Sequence, residues 1–187
     1  MIKTEKKQTE PEEKSFTSFA FDLVYMFSFA FIMVAVTFMF FFRTVAVDGS
    51  SMTNTLHDGE RILLTAYYSE PKYGDIVVTC RPSDVMPDTL IKRIIATEGQ
   101  TVDINFEKGI VYIDGEPLDE PYIRRPFTER EDFYGPVTVP EGCVFIMGDN
   151  RNGSTDSRDL RVGFMPAEYI MGKAVCRIQP WGQFKIG

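Results

Sequence analysis

The sequence predicts a mainly β domain, antiparallel and barrel-like or sandwich-like, behind one N-terminal transmembrane helix. Three observations carry that expectation. Between Leu23 and Phe42 no charged side chain occurs, and Phe, Met, Val and Ala fill the run. About 20 apolar residues at about 1.5 Å each cover the ~30 Å of a bilayer's hydrocarbon core. After Arg43, short runs rich in Val, Ile and Leu recur between Gly and Pro turns, the pattern of antiparallel strands. Glu107-Lys108-Gly109 and Asp114-Gly115 read as hairpin turns between those runs.

Taken in order, residues 1–18 read as a disordered cytoplasmic tail, residues 19–42 as the span and residues 43–187 as the β domain. Met1 to Lys14 alternates Lys with Glu, contains Pro11 and has little apolar content. Lys3, Lys6, Lys7 and Lys14 precede the span, whereas only Arg43 and Arg61 follow closely. That bias keeps the tail in the cytoplasm and puts the domain on the far side of a cell membrane. A cleaved signal peptide would have an apolar core of only ~7–15 residues, so the span reads as an uncleaved anchor. Strands are expected at 61–64, 75–78, 89–97, 101–106, 110–113, 136–139 and 143–147. The charged, aperiodic stretch from Asp119 to Phe133 reads as an exposed excursion, and Pro166 to Ile170 as one short helical turn with Pro at its start.

Composition narrows the function classes. A formal net charge of −7 over 187 residues gives no electrostatic footprint for nucleic acid. The part beyond the span is large enough for one domain with its own core. Cys80, Cys143 and Cys176 are widely spaced, without a CxxC pair, and there is one histidine, so a structural zinc site is not expected. Cys143 and Cys176 lie in apolar strand-like runs and read as buried thiols.

Three segments could carry chemistry. In Asp48-Gly49-Ser50-Ser51-Met52-Thr53-Asn54-Thr55-Leu56, the density of Gly, Ser, Asn and Thr makes a tight turn or a short capped helix. Ser51 lies within ~30 Å of the span even on a fully extended chain, so any chemistry there is tethered to the membrane surface. In Leu90-Ile91-Lys92-Arg93-Ile94-Ile95-Ala96, two cations interrupt a β run. Strict alternation puts Lys92 with Leu90, Ile94 and Ala96, and Arg93 with Ile91 and Ile95, so one cation must lie among apolar neighbours or snorkel past them. Lysine tolerates such a place by losing its proton, which arginine does not do. Protection of an edge strand by charge is the blander reading of the pair. The third segment, Gly148 to Asp159, is a long polar loop after the apolar run Val144 to Met147. It fits a calcium loop poorly, because EF-hand spacing needs oxygen ligands where Arg151 and Gly153 fall. Asn152-Gly153-Ser154 matches the N-glycosylation acceptor pattern, which has low specificity.

Together these segments, with Gly74-Asp75-Ile76-Val77-Val78 between them, resemble the type I signal peptidases, membrane-bound Ser–Lys endopeptidases. The apolar tail around Pro180-Trp181 resembles the Gram-positive members. The resemblance implies Ser51 as nucleophile, Lys92 as general base and Ser154 as the group that orients the lysine amine. It implies Asp156 and Arg158 as an ion pair supporting the loop. The implied partners are signal peptides of secretory preproteins and membrane lipid, with no nucleic acid, no obligate protein partner, no cofactor and no metal. Cleavage is implied after a small residue, as in Ala-x-Ala. The family usually has Pro where Asn54 stands, Gly-x-Pro-Gly-Asp where Ala96 to Gln100 stands, and in some Gram-negative members a serine where Gly49 stands.

The chemistry makes sense for these residue types. A serine hydroxyl needs a base, and Ser–Lys pairs are one variant of the triad logic. Lysine is a poor base in water, where its pKa is about 10.4, and burial alone can depress that value by up to about 3–5 units. His57 falls in the Leu56-His57-Asp58-Gly59 turn and is not expected to act as the base. The self-cleaving cytosolic repressors share a Ser–Lys pair but have no span. The eukaryotic and archaeal branch carries His in place of the lysine. The alternative from another class is an inactive membrane-tethered relative or binding module, which would have lost Ser51 or Lys92.

Overall fold

The computed structural model describes residues 16–82, 89–124, 126–182 and 184–186. The expected disorder of the tail therefore falls, for residues 1–15, outside the described residues. Contacts divide the chain into two units that meet between Phe40 and Phe41. The described part of the first is the helix α1 (Phe16–Phe41), which ends at the first residue of the second unit and, with an 18-residue stretch of mean hydropathy 2.3, is long and apolar enough to cross a membrane.

The second unit is β. In chain order its strands are β1 (Phe42–Ala46), β2 (Arg61–Thr65), β3 (Ile76–Cys80), β4 (Thr89–Thr97), β5 (Thr101–Asn105), β6 (Ile110–Ile113), β7 (Glu116–Pro117), β8 (Val137–Thr138), β9 (Cys143–Met147), β10 (Met165–Pro166) and β11 (Ile170–Gln179). One sheet runs β1-β2-β11-β3-β4-β9-β10 and a second runs β7-β6-β5-β8. The pairs within each are antiparallel. The mainly β, antiparallel expectation holds, and the seven strands read from the sequence are present. The expected helical turn is a short 3-10 segment, Ala167–Tyr169.

The two sheets share a core. Ile95, Ala96, Phe145 and Met147 of the larger sheet pack with Val102, Ile104, Val111 and Ile113 of the smaller. β5 and β6 bury every second residue, so their sequence alternation translates directly into one packed face. A second cluster, including Val47, Met52, Leu56, Ile62, Leu64 and Ile76, lies under the turn that carries Ser51.

Four readings need correction. The 119–133 stretch is an exposed excursion only in part, with Asp119, Arg124, Glu129, Arg130 and Asp132 exposed. Phe127 and Phe133 are buried in the shared core, and Glu120 is buried beside Arg151. Glu120 pairs inward, which a search for apolar periodicity cannot register. Strict alternation in β4 holds only as far as Ile94. The register against β9 slips between Ile94 and Ala96, and Ile95 and Ala96 then enter the same core, as a bulge does when it adds a residue to one strand. β1, β7 and β10 form strands where none was marked, and β11 extends well beyond the strand-like run noted only around Cys176. β1 is an edge strand joined directly to the end of α1, while β11 wedges between β2 and β3 with two register shifts of its own, so neither shows a simple period. Finally, Cys143 and Cys176 are half-buried rather than buried, and like Cys80 they are free.

Candidate active site

Ser51 sits on a tight turn whose geometry follows from its residues. Gly49 has φ 84, the left-handed region that glycine enters without penalty, and its N–H donates to Asp58 Oδ1 at 2.8 Å. The N–H groups of Thr53 and Leu56 donate to the carbonyls of Ser50 and Met52 at 3.0 and 2.9 Å. Met52 and Leu56 pin the turn into the core beneath it, which leaves Ser51 half-buried at the surface. Asn54 has φ 100. Proline, fixed near −65°, cannot take that conformation, so the departure at Asn54 accompanies a change in the turn itself.

Lys92 comes to the same place from β4. It pairs across to Val77, and its side chain is 3% exposed. The Lys92 Nζ donates to Ser51 Oγ at 2.8 Å. Burial pushes the amine below its ordinary pKa. Asp156, Glu131 and Asp149 oppose that shift, while Arg158 adds to it. The largest cause is desolvation, as expected for a lysine among apolar strand residues.

Arg93 is also buried, at 4%, so both cations of β4 lie inside rather than one. It makes a bidentate pair with Asp149, Nε to Oδ1 at 2.9 Å and Nη2 to Oδ2 at 2.7 Å, and donates from Nη1 to Gly74 O at 2.8 Å. The Tyr122 ring covers the guanidinium at 3.9 Å. The Thr55 hydroxyl donates to Asp149 as well, so the pair ties β4 to the Ser51 turn and to the 148–158 loop.

That loop closes over the site. Asn150 N–H donates to Ser51 O at 3.0 Å and its side-chain amide to Ser50 O at 3.1 Å. A Cβ on Gly148 would lie 2.2 Å from Ser154 Oγ and 2.5 Å from Ser51 O. Only glycine allows the loop this close to the nucleophile's backbone. Asp156 and Arg158 form a fully buried bidentate pair at 2.9 and 3.0 Å, and Asp156 Oδ2 accepts from Gly148 N–H at 2.9 Å. The Ser154 hydroxyl, 6% exposed as a residue, donates to Asp156 Oδ2 at 2.8 Å.

The five residues singled out in the sequence therefore occupy one neighbourhood. Ser51 and Lys92 touch, Asp156 and Arg158 pair, and Ser154 is bonded to Asp156. His57 does not join them: its Nδ1 lies 3.6 Å from Glu60 and its side chain is largely exposed. Sequence reasoning missed Glu120, which pairs with Arg151 in the interior, and Glu131, whose carboxyl acts on Lys92. A charged pair in a stretch without periodicity was the only available signal.

Beside Ser51 lies a recess of about 440 Å³, lined by Val45 to Asp48, Ser51, Met52 and Thr89 to Lys92. A larger, more open recess of about 970 Å³ flanks Tyr73, Arg93 and Tyr122 and includes neither Ser51 nor Lys92.

Residues 20–181 match the family model for signal peptidase, peptidase S26. The chain belongs to that family. It is 40% identical over 149 residues to the probable signal peptidase I-1 of Synechocystis sp. strain PCC 6803, covering 73% of this chain and 72% of that one. It is 35% identical to signal peptidase I T of Bacillus subtilis strain 168, over 78% of each chain. Against the signal peptidase I of Bacillus licheniformis it is 32% identical over 97% of this chain and 98% of that one. Within the signal peptidase family it is thus a hydrolase of the signal peptidase I type, and the apolar helix α1 fits a membrane-anchored protein.

Proposed function

We propose that the protein is a membrane-anchored serine endopeptidase that removes signal peptides from exported preproteins, with Ser51 as nucleophile and Lys92 as general base. The observation that carries this reading is the 2.8 Å contact between Ser51 Oγ and the amine of a 3%-exposed lysine. Once neutral, Lys92 can accept the Ser51 proton as the oxygen attacks the scissile carbonyl, and return it to the leaving amine. The Ser51 main-chain N–H is a donor for the developing oxyanion. Ser154, through Asp156, orients the network beside the amine, and the Asp156–Arg158 pair supports the loop. The reaction needs no metal or cofactor.

The recess beside Ser51 supports peptide binding in extended form. Thr89 to Lys92 is paired with β3 on one side, while the β9 register begins only at Arg93. β1 is the edge of its sheet, and Val45 to Asp48 form the opposite wall. Two strand segments with open edges can pair with a peptide main chain, and shallow apolar walls select small side chains. Residues 19–42 hold this domain at the membrane surface, with residues 1–18 in the cytoplasm and residues 43–187 outside.

The test is cleavage of a preprotein by the detergent-solubilised full chain, followed by N-terminal sequencing of the product. Cleavage after the Ala of an Ala-x-Ala site is expected, and Ser51→Ala and Lys92→Arg should both lose it, since guanidinium stays protonated. Phe in place of that Ala should slow turnover by about 100-fold, because a displacement of about 1 Å costs that much. Activity retained in Lys92→Arg would end the general-base assignment, and equal rates for Ala and Phe would end the pocket assignment.

A further inference from the structure

One acid beside the Asp156–Arg158 pair has no part in that mechanism. Glu131 sits in the turn Arg130–Phe133, closed by the Phe133 N–H on Arg130 O at 3.2 Å. The turn is clamped from both sides. Phe133 enters the core and packs edge-on against Phe145 at 5.9 Å, while Arg130 lies over the Phe106 ring at 5.0 Å. Across the gap, Arg158 Nη1 donates to Glu129 O at 2.7 Å and Leu160 N–H to Asp132 Oδ2 at 3.3 Å. Within this clamp Glu131 adopts φ 51, a left-handed conformation uncommon for a residue other than Gly, Asn or Asp. Its Oε2 is buried and finds no hydrogen-bond partner among the described residues. A carboxyl oxygen held inside without a partner, on a backbone that resists its side chain, calls for an explanation beyond packing.

We propose that Glu131 is a positioning residue for the Ser51–Lys92 pair, its half-buried carboxyl setting the pH at which the Lys92 amine gives up its proton. This rests on the reading of Lys92 as general base.

The electrostatic surroundings support it. Lys92 is faced by Asp156, Glu131 and Asp149, which hold its proton, and by Arg158, which drives the proton off. Glu131 itself is faced by Asp156 and Asp159, by Arg158 and by the Asp156 main-chain N–H, and its charge is also felt at Arg161. Burial first, then the repulsion of Asp156 and Asp159, pushes its carboxyl up to about 7. It therefore changes charge within the range where a neutral Lys92 is needed. The sign follows directly. An ionised Glu131 holds the proton on Lys92, and a neutral one releases it. Because each proton lost makes the other harder to lose, the wild-type acid limb is broader than a single titration.

The experiment is the pH dependence of preprotein cleavage by the full chain in detergent, for wild type, Glu131→Gln and Glu131→Asp. In Glu131→Gln the acid limb should move to lower pH and narrow. At a pH on the wild-type limb, the rate should rise about threefold, the change that half a unit of displacement gives. Glu131→Asp keeps the charge in a residue tolerant of this backbone and should return the limb toward wild type. Glu131→Asn, neutral and also suited to positive φ, replaces Gln if that variant folds poorly. A limb that stays in place or moves upward in the neutral variants would overturn the proposal. The second readout is independent of cleavage: the 13Cε resonance of Lys92, titrated by NMR in Ser51→Ala with and without Glu131→Gln. A lower titration midpoint in the double variant supports the assignment, and an unchanged one sinks it. If the wild-type chain cleaves no preprotein, the peptidase mechanism fails by itself, and this titration still decides the role of Glu131.

Discussion

At the scale of residues, the site pairs a reactive group with a stability cost. Lys92 is buried with its amine on Ser51 and with its pKa depressed chiefly by desolvation. In the unfolded chain the amine keeps its ordinary, higher value. Between the two values the unfolded state therefore binds more protons, and stability rises with pH across that window. Below the window the full cost of burying a cation persists. Lys92→Met removes that cost while keeping the volume, so it should raise Tm at neutral pH while lowering cleavage by at least about 100-fold. The Tm gain should shrink as pH approaches the ordinary lysine value, and calorimetry at two pH values would check it. A loss of stability in Lys92→Met would mean that the amine's hydrogen bond outweighs its desolvation. Arg93 shows the contrast: it stays charged inside because Asp149 meets it bidentately and Tyr122 covers its face.

At the scale of elements, the 148–158 loop does the assembling. It leaves β9 through Gly148, which lies too close to Ser154 and Ser51 O for any side chain. It bonds the Ser50 and Ser51 carbonyls through Asn150 and carries the buried Asp156–Arg158 pair. The 119–133 segment straps it from outside. Arg151 pairs with Glu120 in the interior, and Asn152 Oδ1 accepts from Thr128 and Glu129 N–H at 2.9 and 3.1 Å. Glu120→Ala would leave Arg151 buried and uncompensated, a loss of about 3–5 kcal/mol. Denaturant titration should show it, and Glu120→Gln should recover part of it by restoring acceptors. If Glu120→Ala unfolds at the wild-type denaturant concentration, the strap is decoration rather than support.

At the scale of the whole molecule, the buried hydrophobic residues begin at Val47 and run through the β unit, with none drawn from α1. A chain beginning at Phe41 should therefore keep a cooperative unfolding transition close to that of the full protein. Trp181 is 84% exposed and meets Phe184 edge-on at 6.1 Å, an aromatic pair suited to a membrane interface. The shortened chain should bind liposomes with a blue shift in Trp181 fluorescence, and Trp181→Ala should lose that binding. A shortened chain that ignores liposomes would leave α1 as the whole membrane contact.

What the sequence determined by itself was set by local pattern. The uncharged run before Arg43 specifies α1, the short apolar runs specify β4, β5, β6 and β9, and the GSSM, Lys-Arg and GDNR segments single out the residues that meet at the site. These are legible because helix length, strand period and turn chemistry act over a few residues. The tertiary structure decided what depends on distant partners. It placed Arg93 inside beside Lys92 because Asp149 comes to meet it from 56 residues away. It turned Glu120, in the charged 119–133 stretch, inward because Arg151 waits there for it. It shifted the β4 phase at Ile95 because β9 sets the register. A charge's fate rests on whether a partner meets it after folding, and no period in the chain encodes that meeting.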